Sequence, residues 1–502
     1  MMENKNPAFN SVIILTITML IVKILSAIYR VPYQNILGDT GLYAYQQVYP
    51  IIAIVSVLSL NAIPSVISQS HYEKSFIGKL YKHITWISIL VLVVILICSD
   101  IIANLMGDPM LSTMLRASSL VLLPFPAVAM IRGKLQMNHA MKEIAYSQVI
   151  DQVLRVSIIL LSIGLFVWMD LSVYQSGALS IFGSFVGLLG ASIYLMWQNK
   201  RQTIDYRGNN IGSYRSFITL IVFYSLSYLI MILWQLVDSF TVINQLKTLM
   251  SLEEARALKG IYDRGASLIQ MGLIVTTSFS LVLIPLLSEC KQRRDLSQMN
   301  SYANSALKIT IVFSSAAAIG LMNLIQPFNM FLFKSVAGYE ALFIYMLAII
   351  FVSLIIMYTA MLQIFEDYRI QLWGIGLGLA VKIILNLLLI SFFDIKGAAL
   401  ASVTGLFVYA YVLHIGVVRR YEIAFQSFLI KWGITLLVMS VLIQIEMMID
   451  FNTRIGALSV ALIGIITGGI IVLYAMIKWK IITQEEWHHL PFGSVMNKLM
   501  RE

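Results

Sequence analysis

The sequence predicts an all-α polytopic membrane protein with about 14 transmembrane helices, and three observations carry that expectation. Apolar residues make up 59% of the 502 positions, charged residues only 12%, and mean hydropathy is +0.84. Soluble domains carry about 25% charge because a folded chain must wet its surface; half that leaves too little polar surface to face water all round. Apolar runs of about 20 residues, enough to cross a hydrocarbon core, recur from end to end. Strand-like alternation is absent, which excludes a β-barrel.

In chain order the expected spans are 10–36, 47–69, 83–106, 112–135, 145–169, 174–197, 216–243, 264–288, 302–326, 340–362, 371–393, 396–418, 428–449 and 455–478. The opening MMENKNPAFN lacks a strong basic region and a small-residue cleavage site, so the first run reads as a retained signal-anchor helix. Lys and Arg set the orientation. With the N-terminus inside, about 22 of them fall on the inner side, Arg132 among them, and about 8 on the outer. Both termini are then cytoplasmic. The net charge of +10 reads as basic cytoplasmic loops, with no nucleic acid as partner.

The two halves echo one another. Leu135-Gln136 and Arg155 recur as Leu362-Gln363 and Lys382, all displaced by 227. Ile63-Pro64 answers Ile284-Pro285, and Gly177-Ala178 answers Gly397-Ala398. A six-helix unit used twice accounts for these pairs. It gives an N-terminal lobe at 1–200, an inter-lobe linker at 201–215 and a C-terminal lobe at 216–420. Extra helices 13 and 14 follow at 421–480, then a tail at 481–502. An even helix count makes the copies parallel, and two such bundles would enclose a central cavity.

Charges near the bilayer midplane are costly, so each is a functional hypothesis. Lys23 lies about 20 Å into the first span at helical rise, and Lys382 at similar depth in the eleventh. Asp151 and Arg155 stand i, i+4 in the fifth span and can meet on one helix face; the plainer reading is an internal ion pair. The deep sum of Lys23, Arg155 and Lys382 against Asp151 is about +2, which suits a phosphate or pyrophosphate. An exporter of cationic drugs would want unpaired carboxylates there instead. Asp100, Asp238, Glu446, Glu289, Glu366 and Asp367 all fall at helix ends. Gly374, Gly376 and Gly378 spell GxGxG inside an apolar helix and read as close helix packing, as do Gly183 and Gly187. Cys98 and Cys290 sit on separate segments, and the histidines are scattered. No cofactor or metal is therefore expected. No ATPase motif is present, so any driving force is an ion gradient, the membrane potential or the substrate's own gradient.

The fourteen spans, the duplicated unit, the basic first helix and Gly260-Ile261-Tyr262-Asp263-Arg264-Gly265 together resemble the multidrug/oligosaccharidyl-lipid/polysaccharide exporter superfamily. The match is to its polysaccharide-transport branch of stage V sporulation protein B, YabM and MurJ-like flippases. Matching pieces are ILGDTGLYAYQQVYP (36–50), AIPSVIS (62–68), MIRGKLQMN (130–138), YDRG…SFSLVLIPLLSE (262–289) and IKGAALASVTG (395–405). The resemblance implies two lobes in a V-shaped, MATE- or MurJ-like fold in a bacterial plasma membrane. It implies no enzymatic step, and export of an anionic, undecaprenyl-pyrophosphate-linked saccharide, with membrane lipids and wall-synthesis enzymes as partners. It carries functional basic positions onto Lys23 and Arg264. The expected cavity set is Lys23, Arg30, Asp151, Arg155, Asp263, Arg264 and Lys382. The MurJ-like basic position in helix 2 falls near Ile54, which is uncharged, so the sporulation-protein and YabM-like side fits better. The alternative reading is a MATE-type multidrug/cation antiporter. A third, a membrane scaffold in wall synthesis, leaves Lys23 and Lys382 without purpose.

Overall fold

The computed structural model describes residues 29–70, 73–201, 213–273, 287–365, 367–423, 428–449 and 452–483. Every regular element among them is helical, and 11 helices are long and apolar enough to cross a membrane. They cover every expected span except the first and the eighth. The central residues of those two fall at 1–28 and 274–286, outside the described residues. The most apolar span, Lys74–Leu105 with mean hydropathy 2.7, is only 22% buried, whereas Pro109–Met137, at 1.7, is 78% buried. A water-soluble fold would bury its most apolar helix; this ordering belongs to a chain whose solvent is lipid.

By packing, the chain divides into two compact units, Met1–Asp263 and Arg264–Glu502. In the first, α1 (Arg30–Val57) passes through a π turn at Leu58–Ala62 into α2 (Ile63–Ser70). Pro64 has no N–H to give and crowds the preceding turn, and the wider π turn takes up that mismatch. Within α1 the chain breaks at Gly38, with φ 73° and ψ −176°, a region open essentially to glycine. The expected connection at 37–46 is therefore one residue wide. The polar stretch after it is helix, with Tyr43, Tyr45, Gln46 and Gln47 buried.

α3 (Lys74–Leu105) leads to α4 (Ser112–Ser119) and, past Pro124, to α5 (Phe125–Met137). α6 (Met141–Trp168) and α7 (Val173–Arg201) form a tight hairpin, and α8 is Tyr214–Leu246. The unit's core joins Val66 and Ile67 of α2, Val128 and Leu135 of α5, and Leu188 and Leu195 of α7. α9 (Leu252–Gly272) opens on a reciprocal cap: Glu254 N–H donates to Ser251 Oγ at 3.3 Å, and Ser251 N–H to Glu254 Oε2 at 3.1 Å.

The division between units falls inside α9, not in the expected 201–215 linker, of which 202–212 lie outside the described residues. The physical reason is that α8 is bonded to α1. Gln47 Nε2 donates to Ser239 O at 2.9 Å, and Ser239 Oγ returns a bond to Gln47 O at 3.1 Å.

The second unit holds α10 (Leu296–Asn323), α11 (Ile325–Phe333), α12 (Tyr339–Met346), α13 (Ala348–Gln363) and α14 (Tyr368–Val418). α15 (Phe428–Glu446) and α16 (Arg454–Lys478) complete it. α14 contains the expected eleventh and twelfth spans, folded back on each other at Asp394 (φ 47°). The hairpin closes tightly: a Cβ on Gly374 would lie 2.6 Å from the Tyr409 ring, and one on Gly405 2.8 Å from Gly378 O. That is the close packing expected of Gly374 and Gly378; Gly376 faces open space. α15 and α16 pack on α10 through Trp432, Met439 and Met476, with Trp432 Nε1 donating to Ser315 Oγ at 2.8 Å.

Candidate functional site

In the first unit the structure gathers buried cations around α6. Asp151 and Arg155 meet as their spacing requires, Arg155 Nη2 lying 2.8 Å from Asp151 Oδ1. α7 closes on this face through glycine. A Cβ on Gly187 would sit 2.4 Å from Asp151 O, and one on Gly183 3.0 Å from Arg155 O. Those two glycines are thus packing residues, as expected, but what they pack against is the ion pair. From α1 comes Arg30, buried, with its guanidinium 5.6 Å over the Tyr49 ring. Tyr29 and Tyr45 join hydroxyls at 3.1 Å, and Tyr45 stacks on Tyr49 with ring centroids 5.9 Å apart. Tyr29, Tyr45 and Tyr49 lie within electrostatic reach of both Arg30 and Arg155.

A fourth charged group was missed from the sequence. Arg132 of α5, which the charge count places on the inner side, is buried with its Nε donating to Ser147 Oγ of α6 at 3.0 Å. It lies within reach of both Asp151 and Arg155. The signal was an arginine inside MIRGKLQMN, five residues short of the end of α5. Two guanidiniums, those of Arg132 and Arg155, thus share the Asp151 carboxylate, and Arg30 joins them through the tyrosines it has in common with Arg155. Arg132 Nη2, Arg155 Nε and Gln152 Nε2 are buried without a hydrogen-bond partner among those residues. A buried donor left unpaired costs about 1–3 kcal/mol, more when charged, so the layer is built to receive an acceptor of negative charge. Phosphoryl oxygens match that donor set.

In the second unit Lys382 is fully buried on the first arm of α14, its Nζ donating to Ser402 Oγ on the second arm at 2.9 Å. Gly405 packs against it, where a Cβ would lie 3.0 Å from Lys382 Cβ. Lys382 therefore stands in its hairpin as Arg155 stands in α6–α7, each cation faced by glycine on the partner helix. Three turns earlier, Gln371 is fully buried with neither amide atom bonded to a described residue.

Asp263 and Arg264, adjacent in α9, do not pair. Asp263 pairs with Lys259 one turn back. Arg264 is buried, its Nη1 donating to Asn329 Oδ1 at 3.0 Å and its guanidinium 5.1 Å from the Phe333 ring. Lys23 lies outside the described residues. The structure thus brings Arg30, Asp151 and Arg155 together, adds Arg132, and holds Arg264 and Lys382 by other partners in the second unit.

One further carboxylate was not singled out. Asp108, wholly buried, takes a bidentate bond from Arg256 (2.9 and 2.6 Å), hydroxyl bonds from Tyr43 (3.1 Å) and Tyr174 (2.6 Å), and the Met110 N–H (3.0 Å). Its acceptor capacity is filled, which makes it a fastening of the first turns of α9 to α1 and α7 within the first unit. Among the described residues no group of three or more His, Cys, Asp or Glu is placed to hold a metal.

Residues 8–291 match the family model described as polysaccharide biosynthesis protein. The chain is 33% identical over 519 residues to the uncharacterized membrane protein YabM of Bacillus subtilis (strain 168), covering 97% of this chain and 96% of that protein. It is 23% identical over 484 residues to the lipid II flippase MurJ of the same organism, covering 87% of each. Among solved structures it is similar to lipid II flippase MurJ in an inward closed conformation, with a TM-score of 0.71 and 16% identity over 93% of this chain and 99% of that one. An inward-facing multidrug resistance MATE family transporter of the MOP superfamily gives a TM-score of 0.60 at 16% identity, over 82% of this chain and 98% of that one.

Proposed function

This chain belongs to the polysaccharide biosynthesis protein family, and on that premise we propose that it is a MOP-type exporter that flips an anionic lipid-linked saccharide across the bacterial plasma membrane. Its substrate is of the undecaprenyl-pyrophosphate type, carried by alternating access with both termini cytoplasmic. The observation that carries this reading is the buried pair Arg132 and Arg155 on one carboxylate, Asp151, with buried Arg30 reached through the Tyr29, Tyr45 and Tyr49 rings, among the described residues.

The residues divide the work. Arg132 and Arg155 offer planar donors to phosphoryl oxygens, and the Tyr29–Tyr45 hydroxyls extend the donor set. Asp151 occupies Arg155 when no head group is present, so leaving substrate is replaced by an internal anion and binding stays reversible. Lys382 supplies a further buried cation in the second unit, while the prenyl tail stays in lipid. No chemical step is assigned to the chain. A cation antiporter would require the opposite balance at these positions, carboxylates in excess of cations.

The test is depletion of the protein followed by analysis of lipid-linked precursors, with complementation by Arg132→Gln and Arg155→Gln. Accumulation of one pyrophosphate-linked intermediate, uncorrected by either variant at normal abundance, supports the reading. Unchanged precursors, or full complementation by both variants, refutes it.

A further inference from the structure

Away from the arginine layer, the second unit contains a pocket of about 390 Å³ at the ends of α10, α12 and α15 and the start of α11. Binding sites for small molecules run to about 300–1,000 Å³, so this one has room for a ligand. Its lining has an unusual chemistry for a membrane helix end. Asn323, Gln326 and Gln444 contribute three carboxamides and Tyr339 and Phe343 two half-exposed rings, and the remaining four lining residues are three methionines, Met447 among them, and an isoleucine. None of the described lining residues is charged.

The carboxamides are held in place. Asn323 Nδ2 donates to Ile319 O at 2.8 Å and to Ser440 Oγ at 3.0 Å, and its Oδ1 accepts from Gln444 Nε2 at 2.8 Å. With the Gln444 nitrogen so engaged, its carbonyl oxygen remains as an oriented acceptor, and Gln326 adds a donor and an acceptor. Nearby Glu446 is drawn to Thr467 Oγ1 of α16 at 2.6 Å and is not part of the lining.

We propose that this pocket is a subsite for a neutral sugar ring. Amides donate to and accept from hydroxyls, while aromatic faces take the C–H face of a pyranose through their negative quadrupole. A phosphate would meet no cation there, a metal ion no carboxylate, and an acyl chain would strip water from the Gln326 amide and the Gln444 carbonyl at a cost of about 1–3 kcal/mol each. The inference rests on the reading of the chain as a saccharide exporter. It deepens that reading by separating two recognitions: the phosphates by the arginine layer, and an uncharged sugar by these amides. The charge count assigns the pocket to the outer side, where a head group leaves.

The experiment uses the full chain in nanodiscs, with N,N′-diacetylchitobiose as probe and maltose as comparator, read by saturation-transfer NMR. Saturable binding of either sugar is expected. It should weaken at least tenfold in Gln444→Leu and in Met447→Trp, which fills the space, at an unchanged melting midpoint. Arg155→Gln, which alters only the anion layer, should bind sugar as wild type does. No saturable signal for either sugar in wild type overturns the proposal, as does equal binding in both pocket variants. Displacement of the signal by a long-chain alcohol identifies an acyl chain as occupant and overturns it too. Failure here with intact flipping of the anionic lipid removes the subsite alone; sugar binding without flipping removes the proposed function and leaves the pocket.

Discussion

Asp151→Asn removes the carboxylate that neutralises Arg155 while keeping the side-chain shape against Gly187. The pair is 2.8 Å apart, with side chains only 11% and 15% exposed, so the surface-bridge value does not apply. Two unit charges about 4 Å apart interact by ~4 kcal/mol at an effective dielectric near 20. Removing one member of a buried pair costs about 3–5 kcal/mol, because the other charge is left uncompensated. The ligand-free variant should therefore melt lower. An anionic head group replaces the lost carboxylate and recovers part of that energy. If it recovers about 1.4–2.8 kcal/mol, affinity rises roughly 10- to 100-fold. Titration of undecaprenyl pyrophosphate into nanodisc-held protein, followed by melting midpoint, measures both effects. The variant should start lower, gain more per ligand and flip more slowly, since release becomes limiting. Equal or weaker affinity in Asp151→Asn would refute the idea that Asp151 and substrate compete for Arg155.

Gly187→Ala places a Cβ 2.4 Å from Asp151 O, and overpacking of this kind costs roughly 1–3 kcal/mol; an unchanged melting midpoint contradicts the α6–α7 packing. Arg132→Lys keeps the charge but loses the fork and the 3.0 Å Ser147 bond, so precursor flipping should fall partway in the lysine variant and further in Arg132→Gln. Arg264→Lys should reduce activity per molecule partway and Arg264→Ala nearly abolish it; a purely structural role would lower abundance with activity per molecule unchanged. The bonds from Ser251 hold the Glu254 carboxyl below its ordinary range. A depressed carboxylate stabilises the fold above its unfolded pKa, about 4.3, and that contribution is lost as pH falls through the lower folded value. The protection factors of amides in the first turn of α9, measured against the intrinsic exchange rate at each pH, should accordingly fall on acidification below about pH 4 in wild type but not in Glu254→Gln.

Much of this architecture is legible in the sequence, because lipid selects for long apolar runs and hydropathy reads them directly. The break between the eleventh and twelfth spans falls at Asp394, where the runs separate. Asp151 and Arg155 were readable because a spacing of four fixes a shared helix face. Arg155 and Lys382, related by the shift of 227, each stand on the first arm of a glycine-faced hairpin. What hydropathy cannot distinguish is a polar loop from a polar helix buried by its neighbours. Tyr43, Tyr45 and Gln46 looked like a connection and are interior. Arg132 was not singled out for the same reason, since a charge near a helix end reads as solvent-exposed unless the opposing Ser147 is known. The unit boundary inside α9 depends on the Gln47–Ser239 bonds across 192 positions, and no local composition encodes that.

The central claim, that a buried excess of arginine serves an anionic lipid-linked saccharide, is tested most directly by reconstitution. Purified protein in liposomes would receive a fluorescent undecaprenyl-pyrophosphate disaccharide in one leaflet and, in parallel, a lipophilic organic cation. The pyrophosphate lipid should become accessible to a membrane-impermeant quencher only with wild-type protein. Movement should fall at least tenfold in Arg155→Gln and Arg132→Gln, while the cation stays where it was placed. Transport of the cation with no movement of the anionic lipid would contradict that claim.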